Sequence, residues 1–389
     1  MSASSTYANQ PMNSQNPFPI GVPVSGEELA DRETELQTIV KEVESGGRLF
    51  LISPRRYGKT SLLLEARRRL QPRIPVAYLD LFQATSLAHF LDLFAKAVLE
   101  SVEGAVEKAI RVAGEYLRAI RPTMTVNPQG EPEWSIGLSQ QQADLLDLRD
   151  QVLALPGNLA KRKKLRLAVF MDEFQEVRNF DGLALEKAMR ASFQQQPQVS
   201  YVFAGSKESL MWDMVRSRKS PFFRSGPTLS LGPLPAAEFT RFLSTKFKKA
   251  GMSISREKLG EILRLADEIP YNVQYLCHAL WNVKQDRGEI SGGDMARAME
   301  YVLSAETAYY VSLWDQFSLH QRRTVRALAR SGAVAPFNKT FLAEYDLGPS
   351  ASVARSLAQL LKYQILRKSE KRYRFADPFF RLWVQTKIA

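Results

Sequence analysis

One cysteine, Cys277, stands in 389 residues, so the chain can hold no internal disulfide, which fits a reducing cytosol. Its histidines, His89, His278 and His320, lie far apart and give no metal-ligand spacing. No apolar run approaches the length of a membrane span. Residues 1–16, rich in Ser, Asn and Gln, lack the hydrophobic stretch of a signal peptide or anchor and read as a disordered leader. These absences point to a cytoplasmic protein with no membrane partner. Acidic residues are also short, 41 against 53 Lys and Arg, for a net charge of +12. That excess favours an acidic partner such as nucleic acid, and solubility accounts for it equally well. The composition, 45% hydrophobic and 24% charged, is otherwise that of a globular chain long enough for two or three domains.

What is present is concentrated in residues 48–60, Arg-Leu-Phe-Leu-Ile-Ser-Pro-Arg-Arg-Tyr-Gly-Lys-Thr. Residues 49–52 read as a fully buried strand, 53–58 as a tight loop, and 59–70 as a helix carrying Leu62, Leu63, Ala66 and Leu70 inward. In that arrangement the loop amides and the helix N-terminus point at one spot and form a nest for phosphate oxygens. The candidate nucleotide contacts are therefore Ser53, Pro54, Arg55, Arg56, Tyr57, Gly58, Lys59, Thr60 and Ser61. Lys59 would neutralise the β- and γ-phosphates, and the Thr60 hydroxyl would complete a Mg²⁺ shell. The pattern departs from GxxxxGK[ST] only at Ser53, where Gly is expected, and Ser fits the turn if its φ is negative.

Residues 165–171 form a second buried strand and lead into Asp172-Glu173, at the carboxyl edge where open α/β sheets place their ligands. An acidic pair after a strand is often a solvated turn or a helix N-cap. Beside Lys59 and Thr60 it acquires another role: Asp172 would hold Mg²⁺ through water, and Glu173 would act as general base on the attacking water.

Further strand-like runs at 76–81, 199–204 and 228–231 alternate with helical patterns, which predicts an α/β fold with a parallel five-stranded sheet. Residues 16–28, with Pro17, Pro19, Pro23 and Gly21, read as an extended segment packed on the core. The pattern degrades over about 103–160 into helices broken by Pro122, Pro128, Gly130 and Pro132, which predicts an insertion. The expected organisation is a leader (1–16), a P-loop core (17–234), a helical lid (235–304) and a C-terminal winged helix (305–389). In the last part, helices at 318–330 and 351–363 precede a hairpin at 364–375.

Together these residues resemble the archaeal-type ATPases of the STAND branch (signal transduction ATPases with numerous domains) of AAA+ P-loop NTPases, a group that also occurs in bacteria. The resemblance runs from residue 17 onward and rests on 17–24, 31–33, 53–61, 172–176, 203–206, 269–271 and 373–380. It implies that residues 31–33 lie near the adenine, with Arg32 bridging. It also implies that Ser206 stands at the sensor position beside the γ-phosphate, on a strand between the two nucleotide-binding strands, and that Pro270 packs on the nucleotide. Asn272, Gln274 and His278 occupy the region where a sensor arginine is expected, which implies slow turnover. Arg224 matches the place of an arginine finger, and a surface role competes with that reading. Arg55 and Arg56 face the same choice between γ-phosphate and solvent.

The resulting expectation is an ATPase that binds ATP and Mg²⁺ and acts as a slow nucleotide-dependent switch, with Glu173, Lys59 and Ser206 as catalytic residues. One competing reading is ATP-regulated DNA binding through Arg355, Lys362, Arg367, Lys368, Lys371, Arg372 and Arg374 of the winged helix. Another is a nucleotide-dependent scaffold without turnover. A protein partner or self-association fits any of the three.

Overall fold

The computed structural model describes residues 15–30, 32–103, 121–126, 132–137, 142–284, 288–331, 336–369 and 372–388. Most of the expected leader, Asp31, Lys371 and parts of the expected insertion lie outside them. Two compact units divide the chain, Pro23–Leu234 and Met1–Val22 with Pro235–Ala389.

The first unit runs α1 (Glu33–Ser45), β1 (Arg48–Ile52), α2 (Lys59–Leu70), β2 (Val76–Asp80) and α3 (Leu87–Glu103). It continues with β3 (Arg121–Val126), β4 (Pro132–Gly137), α4 (Gln142–Lys163), β5 (Leu167–Asp172), α5 (Gly182–Gln194), β6 (Val199–Gly205), α6 (Glu208–Arg216) and β7 (Thr228–Ser230). Five strands pair in parallel in the order β2-β5-β6-β1-β7, so β6 lies between β1 and β5. The central strands are mostly apolar because both faces are covered. Along β1, Phe50 and Ile52 join one core with residues of α3, α4 and α5, while Leu49 and Leu51 join another with residues of α1 and α2. This alternation is the period of two of a strand.

Within 103–160 the expectation of proline-broken helices is corrected at residues 121–126 and 132–137. Residues 121–126 and 132–137 pair as the antiparallel strands β3 and β4, and α4 carries Val152, Leu153, Leu155 and Leu159 fully buried in the sheet's core. Most of α4 is thus a covering layer of the domain. Pro156-Gly157 reads as a break in sequence, yet both sit inside α4. The Gln196 amide donates to the Leu153 carbonyl at 2.8 Å, just ahead of the proline. Gly157 is needed there, because a Cβ would meet Gln196 Cγ at 2.7 Å.

In the second unit, α7 (Ala236–Lys249), α8 (Arg256–Leu265), α9 (Pro270–Val283) and α10 (Gly292–Asp315) are followed by α11 (Leu319–Ser331), α12 (Lys339–Glu344) and α13 (Ser350–Lys362). The hairpin β8 (Leu366–Ser369) and β9 (Arg372–Phe375) and a final α14 (Pro378–Lys387) complete it. Two boundaries differ from expectation. The helix expected to end near 303 runs on to Asp315, across the expected 304/305 border. Residues 17–19 pack with this unit and not with the sheet: Phe18 is fully buried 4.7 Å from Phe247, and Lys246 Nζ donates to the Pro17 carbonyl at 2.8 Å. Gln274 Nε2 donates to the Pro19 carbonyl at 2.6 Å, and a His278 ring nitrogen lies 2.8 Å from the Phe18 carbonyl. Gln274 and His278 thus hold residues 18 and 19.

Glu65 of α2 ties that helix to its surroundings by accepting from the Gly26 amide at 3.0 Å and from Arg68 and Arg69. The Arg68 hydrogen bond, with the others, outweighs burial and holds this carboxyl at about 2. A depressed carboxylate contributes stability above its unfolded value, and that stability is lost as pH falls towards the folded value. Glu65→Gln should therefore cost on the order of 2 kcal/mol at neutral pH, discounted for the exposure of Arg68. The gap to wild type in melting temperature should close as pH drops below about 4.5; a gap independent of pH would assign Glu65 a purely steric role.

Candidate active site

The loop after β1 needs left-handed backbone at two positions, Arg56 (φ 72°) and Gly58 (φ 85°). Ser53 is not among the residues with positive φ, so no glycine is required there. Its amide donates to the Gly205 carbonyl at 3.1 Å, which fixes the loop's start to the end of β6. Gly58 caps α2, and Lys59 and Thr60 open the helix. Pro54 is half-buried, Tyr57 buried, and Arg55 and Arg56 are exposed.

Parallel pairing brings the ends of β1, β5 and β6 side by side. Lys59 Nζ donates to Asp172 Oδ1, and to Glu173 Oε1 at 2.7 Å. Thr60 Oγ1 donates to Asp172 Oδ2 at 2.8 Å, and Tyr78 of β2 reaches the same oxygen at 3.2 Å. Ser206 Oγ, just past β6, donates to Glu173 Oε2 at 2.7 Å. Lys59, Thr60, Asp172, Glu173 and Ser206 therefore form one hydrogen-bonded network, although Lys59 and Glu173 are more than a hundred residues apart.

Burial pushes the Glu173 carboxyl up, but the charge of Lys59 and hydrogen bonds from Lys59, Gln175 and Ser206 more than reverse this and leave it below its usual range. It is an anion at neutral pH. Its backbone is left-handed (φ 51°), a conformation that side chains with a Cβ rarely adopt and that marks functional turns. Asp80, whose backbone pairs with Asp172, is shifted the other way: burial raises its carboxyl, with Asp172 and Glu173 adding repulsion. Burial, then the neighbouring Asp172, likewise raises the Tyr78 phenol, which stays a donor.

Arg32 is buried and bridges backbone: its guanidinium donates to the Gly232 carbonyl at 2.6 Å and the Tyr57 carbonyl at 3.4 Å, with Glu35 at 2.7 Å. Its bridging is between the phosphate loop and the chain beyond β7. The Ser61 hydroxyl is engaged by the Val24 amide at 3.1 Å. Pro270 opens α9, in the other unit. Arg224, exposed and left-handed (φ 50°), stands 5.3 Å from the Phe223 ring, ahead of β7.

Gln175 and Tyr78 escape the sequence reading. Gln175 Nε2 donates to Glu173 Oε2 at 2.6 Å. Room for it comes from Gly205, where a Cβ would lie 2.3 Å from Gln175 Oε1. Position alone could have flagged Tyr78, at the middle of a strand whose end faces Asp172.

The donor set fits Mg²⁺, because the hydroxyl of Thr60 and the carboxylate of Asp172 are hard oxygen ligands brought within hydrogen-bonding distance. Among the described residues no helix is long and apolar enough to cross a membrane.

A family model described as "ATPase domain predominantly from Archaea" matches residues 29–276, and one described as "Probable winged helix domain" matches residues 308–386. No curated protein matches the chain. Among solved structures, the fold is similar to the Walker-type ATPase PABY2304 of Pyrococcus abyssi, with a TM-score of 0.63, 16% identity, and coverage of 95% of this chain and 99% of that one. It is also similar to the Aeropyrum pernix ORC2 protein in ADPNP-ADP complexes, with a TM-score of 0.55, 14% identity, and 96% and 98% coverage. The Aeropyrum pernix ORC1 protein in complex with DNA gives a TM-score of 0.50, 13% identity, and 93% and 94% coverage.

Proposed function

The chain belongs to the ATPase domain family found predominantly in Archaea, and we propose that it binds ATP with Mg²⁺ and hydrolyses it slowly, as a nucleotide-dependent switch. The observation that carries this reading is the shared network of Lys59, Thr60, Asp172, Glu173 and Ser206 at the carboxyl edge of the sheet. When bound, Mg²⁺ would neutralise charge on the phosphate oxygens. Thr60 and Asp172 would hold it. Lys59 would turn from the carboxylates to the β- and γ-phosphates, and Glu173, freed of that partner, would take the proton of the attacking water, oriented by Ser206. The resting pairs between Lys59 and the two carboxylates must loosen for this, which favours slow turnover. A switch further requires that ATP bind one conformation better than another, and the γ-phosphate supplies that difference through Lys59, Thr60 and Ser206. Pro270 and the helices around it would form the lid.

The test is phosphate release and thermal stabilisation of the full chain by ATP with Mg²⁺. Binding without release would leave a scaffold; neither would remove the nucleotide reading.

DNA binding by the winged helix is favoured by one observation: Arg355, Lys362, Lys368 and Arg372 are all exposed, and α13 contains no acidic residue. Arg367 is a poorer candidate, since it is paired with Asp267. If the module grips duplex DNA, the affinity should fall with salt at a slope of about 0.9 per phosphate neutralised. Changing those four exposed cations to Ala should abolish binding and leave ATP hydrolysis intact. No binding by wild type at low salt, with or without ATP, would make the module an internal packing domain.

A further inference from the structure

Within the second unit a cavity of about 310 Å³ is lined by Arg264 and Asp267 at the end of α8, Leu328 of α11, Tyr373, Arg374 and Phe375 of β9, and Pro378 and Arg381 of α14. Three guanidinium groups and one carboxylate share it. Asp267 does not balance them, because it also pairs with Arg367, and its distance to Arg374 is 3.5 Å. Arg264 and Arg381 have no carboxylate partner among the described residues. Arg381 Nε is buried without a hydrogen-bond acceptor, a state that costs desolvation energy until an acceptor arrives. The remaining wall is formed by the buried Leu328, Tyr373, Phe375 and Pro378, apolar but for the Tyr373 hydroxyl.

We propose that this cavity is a binding site for a small organic oxyanion, a carboxylate or phosphate carried on an apolar, preferably aromatic, body. The guanidinium fork matches either oxyanion with paired hydrogen bonds, and the volume lies at the lower end of small-molecule sites. Arg264, Arg374 and Arg381 hold the charged group, and Leu328, Phe375 and Pro378 take the body. A bound anion shares Arg374 with Asp267. Asp267 and Glu268 are both left-handed (φ 53° and 57°) in the turn directly before Pro270, so occupation of the cavity acts on the strained approach to α9.

The test titrates phenyl phosphate, benzoate, inorganic phosphate and benzyl alcohol into the full chain carrying Lys59→Ala, which silences the phosphate loop. Phenyl phosphate or benzoate should bind one per chain, inorganic phosphate more weakly, and benzyl alcohol not at all. Arg381→Met should weaken binding about 10-fold or more, as loss of a hydrogen bond to a charged group does. Arg264→Gln, at an exposed position that leaves the fold intact, should weaken it in the same direction. Binding that neither arginine replacement changes, equal binding of inorganic phosphate, or no binding of either aromatic anion at millimolar concentration would overturn the site. Displacement of the probe by a short DNA duplex would also overturn it and give these arginines to nucleic acid. Failure here is separable from failure of the nucleotide reading, which this inference extends, since the part of the ATP stabilisation that Lys59→Ala removes reports on the phosphate loop, whereas the probes are titrated into that variant.

Discussion

Lys59→Ala should abolish the rise in melting temperature expected when ATP with Mg²⁺ binds the full chain. A ligand that binds only the native state adds about 2.7 kcal/mol at 100 times its Kd. In a unit of this size that corresponds to a rise of roughly 5–10 °C. The variant also changes the protein without nucleotide, because Lys59 is the cation between Asp172 and Glu173. Its removal leaves two carboxylates facing one another, so the melting temperature of the nucleotide-free variant should fall as well. The quantity to compare is therefore the increment with ATP. An increment equal to that of wild type would place the nucleotide somewhere other than the loop at residues 53–60.

The parts of this fold that sequence revealed are those whose chemistry is local. Residues 49–52 are a continuous apolar run, and 199–204 one broken only by Ser200, because their strands are buried on both faces, and Gly58-Lys59-Thr60 needs only its own neighbours to be read. Asp172-Glu173 was legible as a partner to Lys59 because phosphate and Mg²⁺ demand it. What escaped depends on distant contacts. The strands β3 and β4 contain Pro122 and Pro132, which read as breakers until cross-strand pairing overrides them. Pro156-Gly157 hides α4 in the same way, and its accommodation depends on Gln196, which no local pattern announces. Nothing in residues 17–19 says that they pack with Lys246 and Gln274. Gln175 looks like any polar turn residue until Gly205, on another strand, opens the space it fills. The role of Arg32 came from resemblance, and the geometry gives it carbonyl partners at Tyr57 and Gly232.

Glu173→Gln separates binding from chemistry. The substitution keeps the shape of the side chain and leaves Asp172, Thr60 and Lys59 in place, so the ATP-induced rise in melting temperature should persist. Hydrolysis should fall about 10²-fold or more, the usual contribution of a general base. One cost is specific to this site. Glu173 accepts from Lys59, Ser206 and Gln175, and an amide presents a donor to at least one of them. Ser206 can accept from it, whereas Lys59 and the Gln175 amide nitrogen cannot. The variant should therefore be slightly less stable without nucleotide, a loss that has no bearing on the rate. The pH profile gives an independent check. Burial raises the Glu173 carboxyl and Lys59, with the other hydrogen bonds, brings it below its ordinary range; once Lys59 turns to the phosphates that support is gone, so wild-type turnover should show an acid limb from Glu173 that the Gln variant lacks. A Gln variant that hydrolyses ATP at the wild-type rate while retaining the thermal shift would show that another group activates the water. The groups nearest to hand are then Asp80, whose carboxyl burial raises, and Asp172.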